Sequence, residues 1–177
     1  MNHDPLVSVL MPVYNSAKYL REAIDSILNQ TYQNLELIIS YDESHDGSLE
    51  IIREFEKKDS RIIISYGQGR GIIKALNDGL NLTKGHYLAR MDSDDISLPA
   101  RLETQIKFMQ ANPSIGICGS WIKIFGRSDK DYVLTYPVTD ILLKLKLLFS
   151  VSFAHPSILM KRELISKHNL KYDEEYE

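Results

Sequence analysis

With a single cysteine, Cys118, among 177 residues, the chain cannot build an internal disulfide framework, and this fits a reducing compartment. No apolar run is long enough to cross a bilayer: the most lipid-like stretch, ILLKLKLLFSVSFA, is short and broken by Lys144 and Lys146. The beginning, MNHDPLVSVLM, lacks the basic start and long apolar core of a signal peptide. Net charge is only −3, so no global basic field points to nucleic acid as a partner. Internal repeats, low-complexity tracts and an interdomain linker are also missing. What is present is ordinary for a globular protein, 44% hydrophobic and 25% charged, and supports one well-formed core. The expectation is a soluble cytoplasmic domain.

Short apolar strands alternate with helical patterns through the first hundred residues. LVSVLM (6–11) reads as a buried strand. Ser16 is placed to cap a helix whose Tyr19, Leu20, Ala23, Ile24, Ile27 and Leu28 share one face. LELIIS (35–40) and RIIISY (61–66) read as further strands, separated by a helix buried through Leu49, Ile52 and Phe55. A glycine-rich turn, GQGRG, leads to a third helix, then HYLARM (86–91) forms a fourth strand. Repeated strand–helix–strand units require crossovers, which implies an α/β fold with a mainly parallel sheet flanked by helices. Beyond residue 99 the rhythm changes. PARLETQIKFMQAN predicts a helix with proline in its first turn, and IGICGSWIKIF and DYVLTY predict strands joined by GRSDK, with Met91 and Trp121 read as core. Residues 139–149 predict an apolar helix, expected to pack against the sheet or a missing C-terminal segment rather than rest on a membrane. SILMKRELISKHN reads as strand then helix.

Ligands of open parallel sheets bind beyond the carboxyl ends of the strands. Those ends carry PVYN, YDESHDG, GQGRG and DSDD in turn, so Asp42, Asp46, Asp92, Asp94 and Asp95 collect along one edge. Carboxylates this close repel one another, and a divalent cation relieves the repulsion. Mg²⁺ and Mn²⁺ prefer oxygen ligands and are commonly held by one or two carboxylates plus waters and substrate phosphates. The pattern points to a cation that itself holds a phosphate-bearing ligand.

VSVLMPVYN, SILNQTYQNLELIIS, the D-x-S-x-D-G of DESHDG, GHYLARMDSDD and LPARL, in that order, resemble the inverting glycosyltransferases of family 2. HPSILMKREL further resembles the back half of bacterial surface-polysaccharide members. The resemblance implies the GT-A (Rossmann-like) fold, with one domain over 1–177: a nucleotide-binding half (1–112) and the start of an acceptor-side half (113–177). It implies sugar transfer with inversion from a nucleotide-diphosphate donor, UDP by default with GDP and dTDP as options. The acceptor would be a glycan or lipid-linked, in polysaccharide, capsule or lipopolysaccharide biosynthesis at the cell envelope. Asp92-Ser93-Asp94 matches the D-x-D motif: Asp94 would bind Mn²⁺ or Mg²⁺, and Asp92 would sit beside the ribose or the metal's waters. Asp42 matches the base-reading carboxylate, with Tyr14 stacking on the base and Pro12, Lys74 and Ser93 completing the donor side. Members often carry Asp-Asp-Gly-Ser where this chain has Tyr41-Asp42-Glu43-Ser44, so the base reader is retained and its neighbour is replaced. His155 is expected on the acceptor side. The general base, an aspartate of a Glu-Asp pair in the family, is expected beyond Glu177, which makes the chain a fragment whose transfer activity is reduced or absent.

Other readings of the same residues stand beside these. The acidic cluster also fits an exposed helix-capping loop, Asp42 and Asp46 fit turn and cap chemistry, and Tyr14 fits core packing. Arg70, Lys74 and Arg90, cations expected near the diphosphate, also fit solvent-facing charges, His155 a structural histidine, Asn15 a brace of the first loop and Arg101 a brace of the acidic one. Two other functions remain open: a haloacid-dehalogenase-like phosphatase with Asp92 as nucleophile and Asp94 as general acid, and a non-catalytic nucleotide- or metal-binding module. Peripheral contact with the inner face of a membrane and the oligomeric state are also open.

Overall fold

Strand β1 (Val7–Val13) is buried at all seven positions and lies between β2 (Leu35–Tyr41) and β4 (Tyr87–Arg90), parallel to both. The computed structural model describes residues 4–67, 71–126 and 130–176. Strand β3 (Ile62–Tyr66) extends the parallel set beyond β2. On the other side β8 (Leu159–Lys161) pairs antiparallel with β4, and β5 (Ile117–Cys118) with β8, giving the order β3-β2-β1-β4-β8-β5. Strands covered on both faces need apolar side chains at successive positions, and this is why LVSVLM and LELIIS show no alternation.

The two faces bury different sets. Val9, Met11, Leu37 and Ile39 pack with Leu20, Ile24 and Ile27 of α1 (Ala17–Leu28), Ile52 of α2 (Ser48–Glu56) and Leu102, Ile106 and Met109 of α4 (Arg101–Ala111). Leu10, Ile38 and Leu88 pack on the opposite face with Leu76 and Leu80 of α3 (Ile72–Leu82), Met160, and Ile165 of α6 (Arg162–His168). Each fully buried aliphatic side chain contributes about 1.5–3 kcal/mol, so these two layers carry the fold. Helix α3 sits close to the sheet because Gly79 has no side chain: a Cβ there would meet Ser40 Oγ at 1.9 Å and Leu10 Cδ1 at 2.5 Å.

Several expectations change in the second half. Helix α4 begins at Arg101 with Ala100 at its N-cap, so Pro99 precedes the helix, where its carbonyl accepts the Thr31 amide at 2.8 Å. The buried Gln30 fixes this start instead: its Oε1 accepts the Leu102 amide at 3.1 Å and its Nε2 donates to Leu98 O at 2.9 Å. Strands β6 (Ile122–Ile124) and β7 (Tyr132–Leu134) form a separate antiparallel pair, and of the expected GRSDK connection residues 127–129 lie outside the described set. Met91 is buried as expected, but Trp121 is 55% exposed, its indole N–H bonded to Tyr136 O at 2.9 Å. Packing of helix α5 (Asp140–Leu147) against the sheet is not found: it buries no residue, and Ile141, Leu142, Leu145, Leu148 and Phe149 are exposed. Of the short strands after α4, β8 and β5 extend the main sheet, while β6 and β7 pair only with each other. No helix among the described residues is long and apolar enough to cross a membrane.

Candidate active site

The carboxyl ends of β1, β2 and β4 open onto a cleft of about 840 Å³, bounded on its far wall by the start of α3. Pro12, Tyr14, Asp42, Asp92, Ser93 and Asp94 all line it, although they come from three separate stretches of chain. Tyr14 is 62% exposed at the rim, so the core-packing reading is excluded and its ring is available to a ligand. Lys74, one turn into α3, is not among the lining residues, and Arg70 lies outside the described residues.

Asp42 follows the last residue of β2 and is buried in the cleft floor. Its Oδ2 accepts the amide of Gly71 at 3.1 Å; Gly71 precedes α3 at φ +89°, a backbone state that glycine tolerates without strain. Tyr41, at a position where the resemblance leads to an aspartate being expected, is buried beneath this loop, and its hydroxyl accepts the Ser44 amide at 3.0 Å. It braces the turn that carries Asp42. Ser40, buried in the cleft floor, has an Oγ without a hydrogen-bond partner among the described residues.

Three loops are tied together around the opening. Asn15, in the left-handed region at φ +47°, donates its amide to Ser44 Oγ and accepts the His45 amide at its Oδ1, both at 3.0 Å. Asp46 accepts the Ala17 amide at 2.8 Å and both the amide and the hydroxyl of Ser48, so one carboxylate anchors the starts of α1 and α2. Burial pushes that carboxyl up, but the hydrogen bonds from Ser48 and Ala17 outweigh it and hold Asp46 below the ordinary carboxylate range. The Ser16 side chain does not cap α1; its hydroxyl donates to Tyr14 O at 3.1 Å. Having spent its one proton there, Ser16 Oγ accepts the Ser93 hydroxyl at 2.6 Å, joining the first loop to the acidic loop.

The acidic loop rests on two arginines. Arg90, at the end of β4 and nearly fully buried, forms an ion pair from Nη1 to Asp92 Oδ1. Arg101 reaches back from α4 to donate from Nη2 to the Arg90 carbonyl at 2.8 Å, with Nη1 3.5 Å from Ser97 Oγ, and so braces the loop as expected. Burial pushes its guanidinium down to about 10 against the pull of Asp95. Asp95, half-buried, is pushed up to about 6, first by burial and then by the charges of Asp92 and Asp94, with Arg90 and Arg101 opposing. Asp94 is exposed at the rim with no hydrogen-bond or ion-pair partner among the described residues. Oxygen donors of this kind suit Mg²⁺ or Mn²⁺. No group of three or more His, Cys, Asp or Glu among the described residues is arranged to hold a metal, so the chain offers one or two carboxylates rather than a closed cage.

His155 opens a 3-10 turn (His155–Ser157) outside the cleft lining, with Nε2 3.2 Å from the Tyr172 hydroxyl. Burial, then the charge of Arg90, holds the imidazole below its ordinary range despite Asp92, which favours the neutral ring. Tyr172 is secured by Asn77 of α3, which bonds both its amide and its carbonyl at 2.9 Å. Sequence reasoning missed Tyr172 here, and also Tyr19, which lines the cleft instead of joining the buried face of α1. Tyr19 lies in the first turn of a helix that starts at the ligand edge, and that position was the available signal.

The model of Glycosyl transferase family 2 matches residues 8–168. The chain belongs to glycosyltransferase family 2. This family 2 chain is 36% identical over 186 residues to an uncharacterised glycosyltransferase of Haemophilus influenzae, covering 99% of itself and 58% of that protein. It is 38% identical to another from Methanocaldococcus jannaschii, covering 96% and 60%. It therefore spans about three-fifths of the length of these curated relatives. Among solved structures, Staphylococcus aureus TarS in complex with UDP superposes with a TM-score of 0.73 at 23% identity, over 96% of this chain and 50% of that one. A mannosyltransferase of Pyrobaculum calidifontis, in complex with GDP-Man and Mn²⁺, gives 0.70 at 22% identity, over 94% and 47%. The fold is GT-A, as expected. The phosphatase alternative is not favoured, since the family match spans residues 8–168 and the curated relatives are glycosyltransferases.

Proposed function

We propose that this chain binds the donor of an inverting glycosyltransferase that moves a sugar from a nucleotide diphosphate, UDP first among the candidates, to a glycan or lipid-linked acceptor of the cell envelope. The observation that carries this reading is the convergence of Tyr14, Asp42 and Asp92–Asp94 on one cleft at the carboxyl edge of a parallel sheet. Complexes of the structural neighbours with UDP and with GDP-Man and Mn²⁺ support a nucleotide-sugar donor and a divalent cation.

In this reading Asp42 accepts a hydrogen bond from the base, Tyr14 stacks on its face and Pro12 forms the floor beside it. Asp92 and Ser93 serve the ribose, and Asp94, with Asp92 nearby, would hold Mn²⁺ or Mg²⁺. A cation so held supplies neutralisation of the charge developing on the departing diphosphate. Lys74 adds positive charge from α3. His155, neutral and paired with Tyr172, lies on the acceptor side, consistent with residues 1–112 as the nucleotide half and 113–177 as part of the acceptor half. We assign no general base within this chain. The exposed apolar side chains of α5 beside Lys144 and Lys146 support peripheral membrane contact, tested by sedimentation with anionic vesicles.

The deciding experiment is calorimetric titration of UDP, GDP and dTDP, with and without Mn²⁺, on this chain and on Asp94→Ala. One nucleotide binds in a Mn²⁺-dependent manner, and the substitution weakens that binding by about tenfold or more. If none of the three binds in the presence of Mn²⁺, the donor-site reading fails.

A further inference from the structure

The acidic loop carries three carboxylates within four residues, and the protein answers two of them. Arg90 pairs with Asp92 and the charge of Arg101 acts on Asp95, while Asp94 has no partner among the described residues. Arg90 is the unusual member. Its side chain is 5% exposed, against 32% for Asp92, and neither Nε nor Nη1 has a hydrogen-bond partner among the described residues, Nη1 meeting Asp92 as an ion pair alone. Burying a guanidinium is expensive, and an apolar side chain at the end of a central strand would serve stability as well or better. Stability alone therefore does not account for Arg90. What its position does account for is the restraint of Asp92: a fixed cation pairs with Oδ1 of a carboxylate that lines the cleft.

We infer that Arg90 is a positioning residue that takes up one oxygen of Asp92, so that Asp94 is the carboxylate left open for a divalent cation. This rests on the donor-site reading and extends it. With Asp92 half-claimed and no three-ligand cage among the described residues, the cation is held weakly by the protein alone and firmly only together with the diphosphate. The buried pair serves binding order and specificity rather than folding.

The test measures the affinity of Mn²⁺ alone, of the nucleotide alone, and of the nucleotide with Mn²⁺, on the intact chain and on Arg90→Gln, Arg90→Lys, Asp92→Asn and Asp94→Asn. Arg90→Gln releases Asp92 to the cation and removes a neighbouring positive charge, so the affinity for Mn²⁺ alone rises by about tenfold. Arg90→Lys, which keeps the charge, stays closer to the original. Asp94→Asn removes the Mn²⁺ enhancement of nucleotide binding, whereas Asp92→Asn reduces it several-fold less, a comparison that stands even if Arg90→Gln fails to fold. Equal losses in the two asparagine variants overturn the assignment, as does unchanged Mn²⁺ affinity in a folded Arg90→Gln. Those results leave the donor site standing, because nucleotide binding would still depend on Mn²⁺. If no nucleotide binds the intact chain at all, the donor-site reading and the role of Arg90 fail together.

Discussion

Asp46 holds the beginnings of two helices with one carboxylate, accepting from Ala17 at the start of α1 and from Ser48 at the start of α2. Both helices start at the cleft, so the loss of this side chain loosens the loops that carry Tyr14 and Asp42. Asp46→Ala is expected to cost about 1–2 kcal/mol, the usual scale of lost caps, measured by urea unfolding. The pH dependence has a definite sign. A carboxyl held below its ordinary range in the folded state contributes fully above the unfolded value, near 3.8. That contribution fades as pH falls through the lower, folded value, so the gap between wild type and Asp46→Ala closes only in strong acid. A gap that stays constant into acid would refute the ionic role.

At the scale of elements, the approach of α3 to the sheet decides where the far wall of the cleft stands. Gly79 sets that approach, and the same helix presents Gly71 to Asp42 at its start and Asn77 to Tyr172 in its middle. Gly79→Ala would drive a methyl group into Ser40 and Leu10, and the expected loss is about 1–3 kcal/mol in thermal or urea unfolding, as for other overpacked cores. Because the displaced wall carries Gly71, nucleotide affinity should fall as well. Gly79→Ala with full stability and affinity would mean that the helix moves away at no cost.

For the whole molecule, stability resides in the two layers about the sheet and not in the segment from Val138 to Val151. Phe149 is 88% exposed and Leu148 73%, in a stretch where α5 contributes no buried residue. Replacing both with serine should change unfolding stability by no more than about 0.5 kcal/mol, the scale of exposed substitutions. Binding of an apolar dye should fall markedly, because two large exposed apolar side chains are lost. A large drop in stability would mean that this segment packs in solution.

The alternation of strands and helices, the buried character of β1 and β2, and the gathering of Asp42, Asp92 and Asp94 at one edge were all legible from the chain. Apolar periodicity and turn chemistry are local, and a parallel sheet places its strand ends together whatever the details. The long-range partners were not legible. Trp121 and the α5 leucines look like core residues by composition, but whether an apolar side chain is covered depends on which surfaces meet it, and no described residue of α5 is buried. Ser16 looked like a local cap and instead meets Ser93, 77 residues away. Arg90 could be read as one more solvent-facing cation. Composition and spacing by themselves determined the kind of fold and the carboxylates that mark its edge. Only the tertiary structure decided which carboxylate is paired and which stands open, because an ion pair depends on distances that a linear chain does not contain.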